Sequence, residues 1–340
     1  SHINPNSLDG LNHLGKFLVD VQFLSGAIPS NQDGSHDPWD HLEALMGLTT
    51  LGYKTQALKG LDWMVSNQNQ DGSWYNLYQD EKPLELNKQT NYAAYISVVV
   101  WHFYLINNDV NFLQEFWEPV KNGILFSLSL QHVNGAIAWN IDEFEKIDED
   151  YLLTGCSSIA KSLECAIAIC QALGNHNYES EWRIAHSKLI SALENPSGIF
   201  DLKKDRSRFS MDWYYPILGG INSKKRINSL TTKIKDSFWI QDLGIKCVSD
   251  EPWVTVAETS ECSIAYKKIG EDKIALELLH NAIAIVDGNG IPYMGWQFSE
   301  NIYWPDETPA WTSAACILAA DANNRLTSGA DLFLKQQFKS

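Results

Sequence analysis

The sequence predicts an all-α protein, a closed ring of six helical hairpins with an inner and an outer helix layer. Three observations predict it. Apolar residues recur at i, i+3, i+4 and i+7 along almost the whole chain, whereas strand-like alternation is scarce. Two kinds of helix alternate: one amphipathic with charged faces, the other apolar or small nearly all round, as covering and covered helices should be. No polar capping helix ends the array, since the last apolar segment, TSAACILAADA, is among the most apolar; an open solenoid needs such caps, so the ring closes.

The elements follow in order. The first hairpin joins the amphipathic stretch 11–25 to the apolar stretch 39–51, entered through HDPWDH, where Asp and Pro suit a helix N-terminus. The second joins 55–67 to 91–106, entered through QTNYAAY, and the third joins 110–131 to 157–173, entered through TGCSS. The fourth joins 178–194 to 212–218, entered through FSMDWYYP and cut short by Gly219 and Gly220. The fifth joins 223–236 to 256–269 through EPWVTVAE, and the sixth joins 272–286 to 309–322 through WPDETPAW. Inner helices close on Leu51-Gly52, Leu173-Gly174, Leu218-Gly219 and Ile269-Gly270, and outer ones run into Asp71-Gly72, Asn134-Gly135, Ser197-Gly198 and Asp287-Gly288. The pentapeptide NQDGS occurs at 31–35 and again at 69–73, as turns of a repeated unit. No linker divides the chain, which gives one (α/α)6 toroid domain over 1–340, with 1–10 and 325–340 as flexible or peripheral tails.

Composition narrows the function. A net charge of −16 excludes a polyanion such as nucleic acid, which needs a concentrated basic surface; KKDRSR at 203–208 is the densest basic patch. No stretch approaches the roughly 18 uninterrupted apolar residues of a membrane span, and no basic-then-apolar leader opens the sequence. The six cysteines show neither CxxC spacing nor a disulfide framework, the pattern of reduced, buried thiols in a cytoplasmic protein. No metal ligand set or cofactor is expected; His36 and His41 are hydrogen-bonding groups at the first inner N-terminus.

In such a ring the inner helices all point one way, so their N-termini meet at one mouth. Ser157 and Thr308 are ordinary helix caps there. Caps do not explain the aromatics at the same level: Trp39, Trp74, Tyr92, Trp139, Trp213, Tyr214, Tyr215, Trp253, Trp304 and Trp311, in a chain with thirteen tryptophans. Aromatic walls with polar groups between them fit a sugar, stacked through its C–H faces, or an isoprenoid cation held by cation–π attraction. Asp212 would bond sugar hydroxyls, while Arg206 and Arg208 would meet an anionic group on the substrate.

QNQDGSW at 68–74, with a degenerate copy QHVNGAIAW at 131–139, resembles the Gln-and-Trp repeat of the squalene cyclase and protein prenyltransferase group. That group's DxDD acid is absent and its zinc set of Asp, Cys and His has no counterpart, so this resemblance implies the scaffold.

From about 27 to 322 the chain also resembles the six-hairpin glycosidases, glucoamylase-like ones in particular. The resemblance rests on DPWDHLEALMGLTTLG, on the helix pair NYAAYISVVVWHFYLINNDVNFLQEFWEPVKNGILFSL, on the loop IAWNIDEFE, and on a Glu-containing loop before PAWTSAACILAAD. It implies a general acid before the third inner helix, Asp142 or its neighbours Glu143 and Glu145, and a base before the sixth, Glu307 or Glu300. Where glucoamylases have Trp-Glu-Glu, this chain has Trp139-Asn140-Ile141-Asp142. Other six-hairpin glycosidases place acids at the first or fifth inner N-terminus, which nominates Asp37, Asp40 or Glu258. Because positive helix-dipole ends depress carboxylate pKa values, the base is expected on a helix N-terminus and the acid in an apolar loop cage. The function so implied is an inverting glycoside hydrolase acting on a glycoside or oligosaccharide. The alternatives are a terpenoid cyclase or prenyltransferase-like enzyme, and a non-catalytic sugar-binding protein.

Overall fold

The computed structural model describes residues 3–340. Six outer helices, α1 (Asn12–Val21), α3 (Lys54–Asn67), α5 (Val110–Leu128), α7 (Glu179–Glu194), α9 (Lys224–Ser237) and α11 (Asp272–Ile283), alternate with six inner ones. The inner helices are α2 (Pro38–Thr50), α4 (Thr90–Asn107), α6 (Leu153–Leu173), α8 (Met211–Gly219), α10 (Val256–Lys268) and α12 (Ala310–Asn324). Each inner helix packs on the next, and α12 packs back on α2, so the inner layer is a closed ring. The all-α toroid expected from alternating helix types is the fold.

The core lies between the two layers, because inner helices bury almost every side chain. In α6 all fifteen residues from Cys156 to Cys170 are buried, Lys161 and Glu164 included. This helix is long and apolar enough by composition to cross a membrane, which the unbroken-run criterion missed. Its apolar window is 83% buried inside the ring, and Lys161 Nζ meets Glu164 Oε2 at 2.6 Å within it, as suits an inner-layer helix.

Short antiparallel strands decorate the loops that enter the inner helices. β1 (Ser35–His36) pairs with β2 (Leu77–Gln79), and β2 with β3 (Lys82–Glu85). β4 (Lys88–Gln89), β5 (Asn140–Ile141) and β6 (Ile147–Asp148) form a second sheet. β7 (Trp239–Ile240) and β8 (Gly244–Ile245) form a ribbon, and β9 (Trp253–Thr255), β10 (Gly295–Gln297) and β11 (Ile302–Tyr303) a third sheet. Most of these strands therefore stand at the mouth and stiffen its rim.

The repeated turn has a defined job. In QNQDGSW, Gln68 Nε2 donates to Gly72 O and to Pro119 O of the next outer helix, both at 3.0 Å. Gln131 does the same to Gly135 O and Ala185 O, and Gln22 to Gly26 O and Gln56 O, again at 3.0 Å. The motif thus clamps one hairpin to its neighbour. Both NQDGS copies fold alike, Asp33 and Asp71 each accepting from the backbone N–H and hydroxyl of the serine two residues on. The glutamine clamp equivalent to 68–72 is nevertheless 22–26, not the first NQDGS.

Two expectations change. The left-handed residue that ends α8 is Gly220 (φ +116), not Gly219, whose Cα faces the Ser157 carbonyl so closely that a Cβ would lie 2.5 Å from it. The segment after α12, expected as a peripheral tail, folds across the closed end of the ring and buries Ala330, Leu332 and Phe333. In the N-terminal segment, where Pro5 O accepts from Asn324 at the end of α12, Ile3 and Leu11 are buried as well.

Candidate active site

The N-terminal turn of α2 is set by Asp37, whose side chain accepts from the Asp40 N–H at 2.8 Å, with Pro38 in the first helical position. Spacings of three residues keep side chains on one helix face, so Asp37, Asp40 and Glu43 point the same way. Glu258 and Glu261 repeat that spacing on α10. All five carboxyl groups line one cavity of about 270 Å³ at the mouth, together with Trp39, Tyr92, Thr154 and Trp311.

Crowding and burial govern the charges here. Burial, then the neighbouring Asp37, pushes Asp40 well above the ordinary carboxylate range; a Ser30 hydrogen bond opposes this, and Glu43 and Glu258 add to it. Burial raises Asp37 to about 6 against hydrogen bonds from the Asp40 and Trp39 N–H groups. Burial raises Glu43 to about 7, although the Tyr95 hydroxyl donates to it at 2.6 Å. Glu261 is likewise pushed well up by burial and by Glu43 and Glu258, with the Tyr214 hydroxyl at 2.6 Å opposing. Glu258 rises through burial, and the Cys247 side chain and its own N–H resist the shift. A helix dipole is worth about 0.3–1 kcal/mol, less than one pKa unit. It therefore loses to burial, and carboxyl groups on helix N-termini are raised here, not depressed as the dipole argument expected.

Aromatic rings stiffen the wall. Trp39 stacks on Tyr95 with centroids 3.9 Å apart and planes 22° from parallel. Tyr95 and Tyr214 are fully buried, behind the carboxylates they hold.

No protein-family model matches the chain. Over 317 residues it is 37% identical to the MMP endo-(1,4)-3-O-methyl-alpha-D-mannosidase of Mycolicibacterium hassiacum, a match spanning 93% of this chain and 86% of that one. The chain belongs to the family of that mannosidase. It is a glycoside hydrolase, and the isoprenoid and non-catalytic alternatives fall with that membership. Solved structures share its fold at low identity. A GH63 mannosylglycerate hydrolase from Thermus thermophilus, in complex with glucose, matches with TM-score 0.70 at 10% identity over 91% of this chain and 98% of that one. A structure described as a wild-type glycosidase gives 0.69 at 11% over 95% and 97%, and a sugar epimerase from a ruminal bacterium 0.66 at 12% over 91% and 97%.

Of the residues nominated from sequence, the glycosidase brings Asp37, Asp40, Glu258, Trp39, Tyr92 and Trp311 into the cavity. Others stand elsewhere. Glu307 is exposed and lines a neighbouring cavity, with its backbone carbonyl accepting from Met294 N. Asp142 closes the β5–β6 hairpin by accepting from the Phe144 and Lys146 N–H groups, each at 2.9 Å. Glu145 pairs with Lys88 at 2.9 Å, Glu143 is exposed, and Glu300 is exposed in the β10–β11 turn.

Among the aromatics, Trp74 is fully buried and donates to Met64 O at 2.8 Å. Trp139 is half-buried, its backbone carbonyl accepting from the Thr90 N–H. Trp213 donates to Ser207 O, and Trp253 to Trp304 O at the exposed rim. Asp212 is buried beside the cavity, accepting from Thr154 Oγ1 at 2.5 Å and raised by burial to about 7. Arg208 pairs with Asp250 on the surface, and Arg206 with Asp150 and Asp201, which leaves neither aimed at an anionic substrate. His41 is a buried hydrogen-bonding group, accepting from the Ile28 N–H and donating to Gly60 O, while His36 stacks on Tyr78. Sequence reasoning missed Glu43 and Glu261; the signal was available, as acids three residues past Asp40 and Glu258 inside inner helices.

Proposed function

We propose that this glycoside hydrolase cleaves internal α-1,4 linkages between mannosyl units carrying 3-O-methyl groups, with inversion, Asp40 serving as general acid and Glu258 as general base. One observation carries the assignment: α2 and α10 present carboxyl groups to the same cavity, where burial raises both and neighbouring carboxylates raise Asp40 further. Asp40, crowded by Asp37, Glu43 and Glu258, holds its proton. Glu258, raised by burial and by no neighbouring charge, is the readier of the two to give its proton up. The substrate class follows the relative that shares 37% identity.

The ring geometry accommodates inversion. Helices α2 and α10 are separated by α12 in the inner ring. Packed helix axes lie about 8–10 Å apart, so second neighbours in a hexagonal ring lie roughly 14–17 Å apart. Two acids reaching inward from that separation leave space for a water, as inverting enzymes need. In the reaction Asp40 protonates the leaving oxygen as its bond to C1 breaks. Glu258 takes a proton from the water whose oxygen bonds to C1 on the opposite face. Trp39, Tyr92 and Trp311 offer ring faces to the sugar.

The test is anomeric. Proton NMR during cleavage of an α-1,4-linked mannotetraose, with and without 3-O-methyl groups, is expected to show the β-anomer appearing first. Asp40→Asn and Glu258→Gln are each expected to lower kcat by roughly 10³-fold or more. First release of the α-anomer, or near-normal turnover by either variant, would sink the assignment.

A further inference from the structure

Beside the catalytic cavity lies a second one of about 450 Å³, between the end of α1, the loop 29–34 and the loop before α12. The two share a wall. Ser30, which lines the second cavity, stands close enough to the Asp40 carboxyl to favour its charged form, and its backbone carbonyl accepts from Ala310 N at 3.4 Å. Ala310 faces the second cavity, and its neighbour Trp311 faces the first.

The second cavity has the makings of a sugar site. Phe17 and Phe23 supply rings; Asn31 and Gln32 supply amides. The Asn31 Oδ1 atom is shielded from solvent and has no donor among the described residues, although buried polar atoms are nearly always satisfied. A turn of that side chain into the cavity would present the oxygen to a sugar hydroxyl. Asp33, Asp306 and Glu307 line the same space with no basic residue, which favours an uncharged ligand and repels an anionic one. Size points the same way: small-molecule sites run about 300–1,000 Å³, so the catalytic cavity alone is small for an enzyme that cuts within a chain.

We propose that this second cavity is the subsite for uncharged sugar units beyond the first on the leaving-group side of the scissile bond, which a tetrasaccharide reaches and a disaccharide does not. The side is fixed by the general acid: the group that protonates the departing oxygen stands next to the departing sugar, and Ser30 joins that group to the cavity. This placement rests on Asp40 being the acid, as proposed above.

The experiment compares mannobiose with mannotetraose, both α-1,4-linked, for the unaltered chain, Asn31→Ala and Phe23→Ala, after thermal melts show that the variants fold. The unaltered chain is expected to gain roughly tenfold in kcat/KM from the longer substrate, through KM. Both variants lose that gain, and tetrasaccharide binding measured by titration weakens in parallel. A gain that persists in both variants overturns the subsite, as does an equal loss on both substrates. Titration separates this failure from that of the substrate reading. Absent turnover of any mannoside, with mannotetraose or maltotetraose binding that the two substitutions abolish, sinks the substrate reading and upholds the subsite. No binding of either tetrasaccharide to the unaltered chain overturns the subsite itself.

Discussion

Glu43 isolates what a crowded carboxyl costs. Its pKa rises from the ordinary 4.5 to about 7 in the folded protein through burial. Between those values the folded state binds more protons than the unfolded state, so the stability slope with pH is negative: stability from this group is present below about 4.5 and is lost as pH climbs to about 7. Buried neutral histidines act the other way. His36, His41 and His102 are depressed by burial to about 4, 3 and 4, so they favour folding as pH rises toward 6.5. A total melting profile therefore mixes both signs, and a difference removes the histidines. The Tm of Glu43→Gln minus that of the unaltered chain is expected to become more positive from pH 4.5 to 7.5. A flat difference would show that Glu43 titrates as an ordinary carboxylate. The acid ladder DPWDHLEAL was legible in the sequence as far as Asp40, because caps are a local signal. Glu43 continues the ladder at the same spacing, but its partner Tyr95 lies 52 positions away, and only the closed ring brings the two together.

At the scale of elements, the outer-to-outer clamp gives a sharp contrast between conformation and contact. Gly72 has φ +96, and a Cβ there would lie 2.0 Å from the Asn122 carbonyl oxygen on α5. Gly52 has a similar φ of +86, but a Cβ there would meet nothing within 4 Å. Gly52→Ala is expected to cost about 1–2 kcal/mol, the left-handed penalty alone. Gly72→Ala is expected to cost at least about 2 kcal/mol more, because backbone has to move. Gln68→Ala, which frees two carbonyls, is expected to cost about 1–3 kcal/mol. Urea unfolding checks all three, and equal losses at Gly52 and Gly72 would remove the close approach as the reason for glycine. Helix order and most boundaries were legible because periodicity and caps are local. Where Glu307 and Asp142 stand was not legible from their loops: loop position depends on β5–β6 and β10–β11 pairing, which two-residue strands do not announce.

At the scale of the whole molecule, the ring is open at the mouth and sealed at the other end by the chain's own last segment. Phe333 lies beneath the cavity floor, in a small space shared with Glu43, Tyr215 and Glu261. The same segment ties to α4 through the Trp101 indole, which donates to Gln337 Oε1 at 2.8 Å. It ties to α6 through Glu164, which accepts from Gln337 N at 3.2 Å while paired to Lys161. Lys161 and Glu164 are 2% and 3% exposed, so neither charge is relieved by water. Breaking a buried pair from one side costs about 3–5 kcal/mol, whereas replacing both partners with apolar groups of similar volume is often neutral. Lys161→Met is accordingly expected to destabilise by that amount and to loosen the seal, and Lys161→Met with Glu164→Leu to recover most of the loss. The unrecovered part belongs to the Gln337 N–H, which loses its acceptor, and to the Lys335 carbonyl, which loses the Lys161 donor at 3.3 Å. Urea unfolding of the two variants measures the recovery, and proteolysis at the C-terminal segment measures the seal. A double variant as unstable as the single one would show that the pair holds the closed end together, not merely that a lone buried charge is costly.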